Sequence, residues 1–586
     1  MMSSSSSREG DALAHAADPT RSIADDITCG LDSLGGPPTV CDAEHPVPFE
    51  ELWLGFVAHA ARALEPLIAP SLHAAVLHDP HGPLRSLLIE LAEMGAPAAF
   101  ELFALYRIRE ASAASVFGSV RGVESRDTYN AFVKHLATQQ LSPLWDAFPA
   151  LKPLLATRTN LFIAAMAELC QRWEADHVEI MSVFPELRGI GAPQRIRPGL
   201  SDAHGGGRTV TRLSFAGGEA LFYKPRPVDM EWGCAQFVEW FNGQDHGMPP
   251  LRALSVLPRT DYGWMEAARP ALCTHVDAVA RFYHRAGMLL ALADLFCGVD
   301  FHSENLIASG EYPVIVDLET LFHPLGPFES QGDALERTEL LPRPIYCEDG
   351  APYVICGLGV VPGKAVIELR RRGWININCD NMASCDVTVP WPVGGAVPRN
   401  KEGAAPSIAT WSGEIVSGFS AMHVFFRTRR NELWSADGPI VQAFGGGRSR
   451  FLLRATRIYV ELLRRAVQPQ ALAAHASSSH IFDRLARTGR GWDEIHRVER
   501  QALDRMDVPY FTMETTAQFV RGEGRTIHAF FATSGLHMAR RRSEFIDDVI
   551  LNDRAASIRN VLEQSSYSGE ATLPDSRVQT DAGAGA

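Results

Sequence analysis

Lysine is nearly missing from this chain. Of 55 basic residues, only Lys134, Lys152, Lys224, Lys364 and Lys401 are lysines, so a lysine kept inside a strand-like segment carries information. Positive charge as a whole is in deficit. Acids outnumber bases 69 to 55, for a net charge of −14. This excludes a broad polyanion-binding surface, and with it nucleic acid as a partner, leaving room only for a local basic pocket. Long apolar runs are lacking too. The longest, around 288–296, is interrupted by Asp294 and falls far short of the roughly 18 residues that span a membrane. No N-terminal stretch joins a positive region to an apolar one, so no secretory signal is read. A cytoplasmic protein without membrane contact is expected. The ten cysteines are scattered without a CxxC pair, Cys379 and Cys385 being the closest two. That argues against a disulfide framework and against a zinc-ligand spacing.

What is present is ample apolar content, 46% of 586 residues, enough for a large core or several subdomains. Residues 1–45 are rich in Ser, Asp, Gly and Pro and read as a tail, as do residues 566–586. No repeat of fixed period occurs. Residues 46–195 read as a helical subdomain, with Leu52, Phe56, Ala60, Ala63 and Leu67 recurring at helical spacing. The texture changes at 189–199, which is rich in Gly, Pro and Arg. Residues 196–325 then read as a mixed core. Strand-like runs over 208–215 and 219–224 are joined by Ala216-Gly217-Gly218, a hairpin signal. Helical patterns follow over 230–242 and 276–296, then an apolar strand over 313–316. Residues 326–565 form a third part. It alternates strands and loops to about 480 around one helix at 456–467, with 378–406 read as a long loop and 492–564 as mostly helical.

Three pieces fall in the order that phosphoryl transfer from ATP requires. The first is Asp202-Ala203-His204-Gly205-Gly206-Gly207, followed by the hairpin that ends in Lys224. Glycines let backbone N–H groups approach phosphate oxygens, and a lysine on the next strand can reach the phosphates as a point charge. Glu231 and Glu239 are both candidates to orient that lysine. The second piece is Asp300-Phe301-His302-Ser303-Glu304-Asn305. Here the Asp can orient or deprotonate an attacking hydroxyl, and the Asn offers an oxygen to a metal ion. The third is Val314-Ile315-Val316-Asp317-Leu318-Glu319, two acids at the end of a buried strand. Acids there are costly unless a cation meets them, and Mg²⁺ on ATP phosphates is the natural partner. Taken singly, a glycine run is most often a loop and an isolated acid or His a capped turn. In sequence, the pieces resemble the lipid-kinase version of the kinase site.

Longer strings carry a more specific resemblance. Asp202-x-His204-x-x-Gly207, Tyr223-Lys224-Pro225-Arg226, Asp300-x-His302-x-x-Asn305 and Asp317-Leu318-Glu319-Thr320-Leu321-Phe322 resemble the dehydratase domain of LanM-type (class II) lanthipeptide synthetases. So do Arg450-x-x-x-Arg454-x-Thr456-x-x-Tyr459 and Asp507-Val508-Pro509-Tyr510-Phe511. The motifs cover about residues 195–545. The resemblance implies an α+β fold, with a bilobal kinase-like core, a lipid-kinase-like catalytic loop and large helical additions. It implies an enzyme that binds ATP and Mg²⁺, phosphorylates Ser and Thr of a leader-bearing ribosomal precursor peptide, and eliminates the phosphate to dehydroalanine or dehydrobutyrine. Asp202, His204, Lys224, Asp300, His302, Asn305 and Asp317 would then serve phosphorylation, with Gly205, Gly206 and Gly207 at the nucleotide. Glu319 would support the metal region beside Asn305 and Asp317. Arg450 and Thr456 would serve elimination. The planar fork of Arg suits a departing phosphate, whereas Thr456 is a poor base and better suited to a hydrogen bond. Read alone, the basic cluster of Arg448, Arg450, Arg454 and Arg457 is the start of a basic helix. No Cys-His-Gly string of the LanC-type cyclase occurs. A stand-alone dehydratase is therefore expected, with a separate cyclase or other tailoring enzyme acting in trans.

Two other classes remain open at this stage. One is a kinase without elimination, acting on a peptide or small molecule. The other is a non-catalytic protein that holds a leader peptide for another enzyme. Retention of Arg450 and Thr456 argues against the first, and of Lys224, Asp300, Asn305 and Asp317 against the second. A zinc hydrolase using His204, His302 and Asp317 is a distant third, because no HExxH spacing is present.

Overall fold

Proline sets the first boundary of the helical region. The helix Glu50–Leu64 buries Leu52, Phe56 and Ala60 on one face. It gives way at Pro66, which has no N–H to donate the next helical bond, to a single tighter turn over Glu65–Leu67. Leu67, expected on the same stripe, therefore falls in a short turn and is exposed. The computed structural model describes residues 40–110, 125–326, 334–346, 352–358, 366–392, 396–400, 407–473, 479–487, 489 and 491–564. Apart from residues 40–45, the segments expected as tails lie outside that range. No helix among the described residues is long and apolar enough to cross a membrane.

Two longer helices, Pro83–Glu110 and Leu151–Val183, complete the base of this region. The second lies against a five-stranded antiparallel sheet. Its strands are β1 (Arg195–Arg197), β2 (Thr211–Ser214), β3 (Ala220–Lys224), β4 (Val256–Pro258) and β5 (Gly263–Glu266), in the order β1-β2-β3-β5-β4. Trp173 packs on Phe215 and Trp264 at 5.7 and 6.0 Å between ring centres. Asp176 accepts hydrogen bonds from Trp264 Nε1 at 2.7 Å and the Tyr262 hydroxyl at 2.9 Å. Residues 46–195 thus share one hydrophobic core with this sheet. The expected hairpin is β2–β3, and it delivers Lys224 to the end of β3, opposite Gly263.

A second core surrounds the helix Val276–Leu295, crossed by the helix Ser412–Thr428. The two meet at glycines. A Cβ on Gly287 would sit 1.9 Å from the Ile415 carbonyl oxygen, and one on Gly418 would sit 1.9 Å from that of His284. Only glycine permits this approach. The hairpin β6 (Leu306–Ser309) and β7 (Tyr312–Ile315) then carries the chain from Asn305 to Asp317.

The third part holds more strand than its sequence suggests. After β8 (Arg343–Tyr346) and β9 (Pro352–Ile355) come β10 (Val366–Ile375) and β11 (Ala383–Pro392), paired antiparallel over ten residues each. Strand β11 replaces part of the loop expected over 378–406. Its β-branched Val387-Thr388-Val389 run is a strand signal that the surrounding Gly, Pro and Asn obscure. Likewise, the stretch expected to be mostly helical over 492–564 contains β13 (Phe511–Glu514), β14 (Val520–Gly522) and β15 (Arg525–Ile527). These form an antiparallel sheet with β12 (Arg448–Phe451) in the order β12-β13-β14-β15. Strands of three or four residues are too short for period-two alternation to stand out. The remaining helices include Thr456–Ala466, Trp492–Leu503, Gly535–Phe545 and Asp548–Gln564.

Candidate active site

Lys224 reaches the centre of the molecule from the end of β3. Its Nζ lies 3.0 Å from Glu231 Oε1, 2.9 Å from the Val316 carbonyl oxygen and 3.4 Å from Asp317 Oδ1. Glu231, on the helix Asp229–Asn242, is therefore its acid partner, whereas Glu239 is exposed. Sequence reasoning missed Arg226 as a site residue. Its guanidinium lies 2.8 Å from Glu231 Oε1, 2.5 Å from Asp317 Oδ1 and 2.6 Å from Glu319 Oε2. The available signal was the Tyr223-Lys224-Pro225-Arg226 string, which carries this arginine two residues after Lys224. Burial pushes the Asp317 carboxyl up, but Lys224, Arg226 and Arg450 outweigh that and hold it at about 2.

The loop after the helix Val276–Leu295 is strained where chemistry is expected. Asp300 is a non-glycine residue with φ of 67°, a conformation that surrounding structure must enforce. Burial pushes its carboxyl up to about 6, although His302 pulls it down. His302 Nε2 lies 3.9 Å from Asp300 Oδ1. Asn305 donates through Nδ2 to the Asp300 carbonyl oxygen at 2.7 Å, which leaves its Oδ1 as the acceptor a cation would use. The next segment ties back, with Val316 N donating to the Asn305 carbonyl oxygen at 2.9 Å.

Strand β12 brings in the residues expected to eliminate phosphate. Arg450 N donates to the Glu319 carbonyl oxygen at 2.6 Å, and the Ser449 hydroxyl donates to the Glu319 and Leu321 carbonyl oxygens at 2.9 and 2.5 Å. Residues two apart on a strand share a face, so Arg448 and Arg450 point together to the cavity. Arg450 meets Glu319 Oε1 at 2.7 Å and stacks over the Tyr510 ring at 5.0 Å. Tyr510 donates to Glu319 Oε2 at 2.9 Å. Both Glu319 oxygens thus face arginines and a hydroxyl. Arg454 and Tyr459 are turned to Glu499, at 2.6 and 2.8 Å, and so hold the bend that presents Thr456 at the start of its helix.

His204 joins this side of the site. Its Nδ1 lies 2.7 Å from the Val508 carbonyl oxygen, and its ring centre is 5.2 Å from that of Tyr510. A carbonyl oxygen can only accept, so Nδ1 carries the proton and Nε2 keeps its lone pair. Burial, and then the Arg450 charge, push the ring below its usual range. His323 is also a neutral imidazole, buried and stacked on Phe451 at 4.7 Å, with Nε2 accepting from Leu452 N at 3.0 Å.

Burial holds the His323 ring at about 3 against an ordinary 6.5. Between those values the unfolded chain binds a proton that the folded chain does not. Stability is therefore complete above the unfolded value and declines as pH falls, by about 1.4 kcal/mol per pH unit for one such histidine. Urea unfolding between pH 7 and pH 5 is expected to show a smaller decline in His323→Gln than in the unsubstituted chain. Equal declines would remove His323 as a source.

These groups line one cavity of about 1250 Å³, larger than the roughly 300–1,000 Å³ usual for one small ligand. Asp202, His204, Gly205, Asp300, His302, Asn305, Asp317, Glu319, Arg450 and Thr456 all reach its wall, and Lys224 stands just behind Asp317. Arginines from several elements, Arg172, Arg208, Arg226, Arg448 and Arg457 among them, share its wall with acids such as Glu168, Asp261, Glu304 and Glu339, so the cavity carries both signs of charge. Gly206 and Gly207 are not on that wall. Their N–H groups donate to the Asp507 carboxylate, at 2.6 Å from Gly206 and 3.1 Å from Gly207, so they do not present a free phosphate cradle. No group of three His, Cys, Asp or Glu side chains that could hold a metal ion occurs among the described residues. Asn305 and Asp317 can supply two oxygens, and phosphate oxygens would complete an Mg²⁺ shell.

Comparison with known proteins agrees with the class that the motifs indicate, a chain related to the LanM-type lanthipeptide synthetases. It belongs to the family described as Domain of unknown function (DUF4135), whose model matches residues 148–514. It is similar to the lacticin 481/lactococcin biosynthesis protein LcnDR2 of Lactococcus lactis subsp. lactis, with 23% identity over 412 residues. That match covers 65% of this chain and 42% of LcnDR2, so the chain spans less than half the length of this curated relative.

Proposed function

We propose that this chain acts in lanthipeptide maturation as a dehydratase. It phosphorylates Ser and Thr of a ribosomal precursor peptide with ATP and then eliminates the phosphate. One continuous run of ion pairs supports this function. Lys224, Asp317, Arg226, Glu319 and Arg450 link the two motif groups within a single cavity. The sheet β1–β5 above the 300–305 loop and the β6–β7 hairpin is consistent with a kinase-like core. The printed role of LcnDR2, biosynthesis of lacticin 481 and lactococcin, supports the substrate class.

In the first step Asp300 takes the proton of the attacking hydroxyl, whose oxygen bonds to the γ-phosphorus as ADP leaves. Lys224 steadies the phosphates. Asn305 and Asp317 would hold Mg²⁺, which neutralises phosphate charge when bound. In the second step the Cα–H bond breaks, the Cα=Cβ double bond forms, and phosphate departs from Cβ with the electron pair. We assign His204 to this step, whereas the resemblance had put it with phosphorylation: its Nε2, left free by the Nδ1 bond to Val508, accepts the α-proton, and Arg450 meets the departing charge.

The test is the intact mass of a precursor peptide after incubation with the chain, ATP and Mg²⁺. Loss of one water per modified residue is expected. Gain of phosphate alone would leave a kinase without elimination, and no change with a verified precursor would overturn the proposal.

A further inference from the structure

The three consecutive glycines of the 205–207 loop all adopt left-handed φ, at 54°, 98° and 77°. Such a turn aims backbone N–H groups inward, as anion-binding nests do. The anion it holds is the chain's own. Asp507 is completely buried. Its Oδ1 accepts from Arg158 Nη1 at 2.8 Å and Gly207 N at 3.1 Å, and its Oδ2 accepts from Gly206 N at 2.6 Å and Arg505 Nη2 at 3.4 Å. A buried carboxylate is stable only when partnered in this way. Arg158 belongs to the helix Leu151–Val183, so one side chain fastens three distant segments.

The two chain segments run on together beyond Asp507. Val508 N donates to the Ala203 carbonyl oxygen at 2.8 Å, and His204 Nδ1 returns a bond to the Val508 carbonyl oxygen. Two residues later, Tyr510 bonds Glu319 beside Arg450. The position and tautomer of His204 therefore depend on how the loop is held.

We propose that Asp507 is a positioning residue. It clasps the glycine loop so that His204 faces the elimination side of the cavity, and the loop does not bind nucleotide phosphate. This rests on the dehydratase function proposed above. A loop that cradled phosphate would need its N–H groups free. A clasp needs them committed, and misplacement by about 1 Å then slows the step it serves about a hundredfold.

The test uses the whole 586-residue chain with Gly206→Ala and Asp507→Asn. Gly206→Ala forces the loop out of its φ of 98° while leaving Asp507 and both arginines in place. Asp507→Asn keeps the shape but turns a donor toward backbone donors. Two quantities are read: ATP affinity, and phosphate release from a chemically phosphorylated precursor peptide with ADP and Mg²⁺ present. ATP affinity should stay within about twofold, while kcat for release falls about a hundredfold at unchanged KM. Loss of folding alone would move both quantities. If ATP affinity falls tenfold or more in Gly206→Ala while release is retained, the loop is a phosphate cradle and the clasp is overturned. Wild-type release in Gly206→Ala overturns it as well, and that variant decides the matter should Asp507→Asn fail to fold. If the unsubstituted chain neither binds ATP nor releases phosphate, the dehydratase function falls and the clasp falls with it.

Discussion

Arg450→Ala is expected to phosphorylate its peptide and then stall, with phosphopeptide accumulating and dehydrated product reduced about a hundred- to a thousandfold. Phosphate leaving a β-carbon carries its charge with it and needs a fixed positive group to meet it. Arg450 is the guanidinium that β12 delivers there, with its side chain 12% exposed and its Nη1 2.7 Å from Glu319. The fold should survive, because Glu319 keeps Arg226 at 2.6 Å and Tyr510 at 2.9 Å. Lys at this position should restore little. Its point charge cannot reproduce a fork that touches Glu319 and stacks on Tyr510 together. Mass spectrometry of the peptide reads the result directly. Dehydrated product at the unsubstituted rate would make Arg450 a structural residue only.

Lys224→Met should have the complementary effect. Phosphorylation is expected to fall about a thousandfold, with neither phosphopeptide nor dehydrated peptide formed from unmodified precursor. Met keeps the length of the buried side chain without its charge. Glu231 retains Arg226 at 2.8 Å, so the surrounding pairs need not collapse. The same variant given ready-made phosphopeptide should still release phosphate, because elimination draws on Arg450, Thr456 and His204. That retained half-reaction separates a lost catalytic group from a lost fold. Glu231→Gln should follow Lys224→Met in direction, and Glu239→Gln should behave as the unsubstituted chain because its side chain points to solvent. Equal loss in the two Glu variants would contradict the pairing of Lys224 with Glu231.

How much could be read beforehand differed from element to element. The β2–β3 hairpin, its terminal lysine and the helices near 230–242, 276–296 and 456–467 were all legible, because turn residues and helical periodicity act over a few positions. The strands β11 and β13–β15 were not, since their partners lie elsewhere in the chain. The candidate site divides in the same way. Asp300, His302 and Asn305 sit in one short loop, and Asp317 follows at the end of β7, so spacing alone put them together. Arg226 stood in the Tyr223-Lys224-Pro225-Arg226 string but drew no role, because nothing local marks an arginine as buried. The glycine loop was read as a phosphate cradle because its preference for inward N–H groups is local, while the carboxylate that fills it comes from 301 residues away.

The sequence by itself determined which chemical groups this protein has and their order along the chain: a lysine, an Asp-His-Asn loop, a strand-end acid, and an arginine motif. Only the tertiary structure decided which of them share charge. Arg450 pairs with Glu319 across 131 residues, Lys224 pairs with Glu231 and not Glu239, and Asp507 closes on Gly206 and Gly207. The physical reason is burial. Backbone propensities and turns are set by neighbours in sequence. A charge withdrawn from water must find opposite charge or donors within about 3 Å, and in this chain packing alone brings those partners close enough.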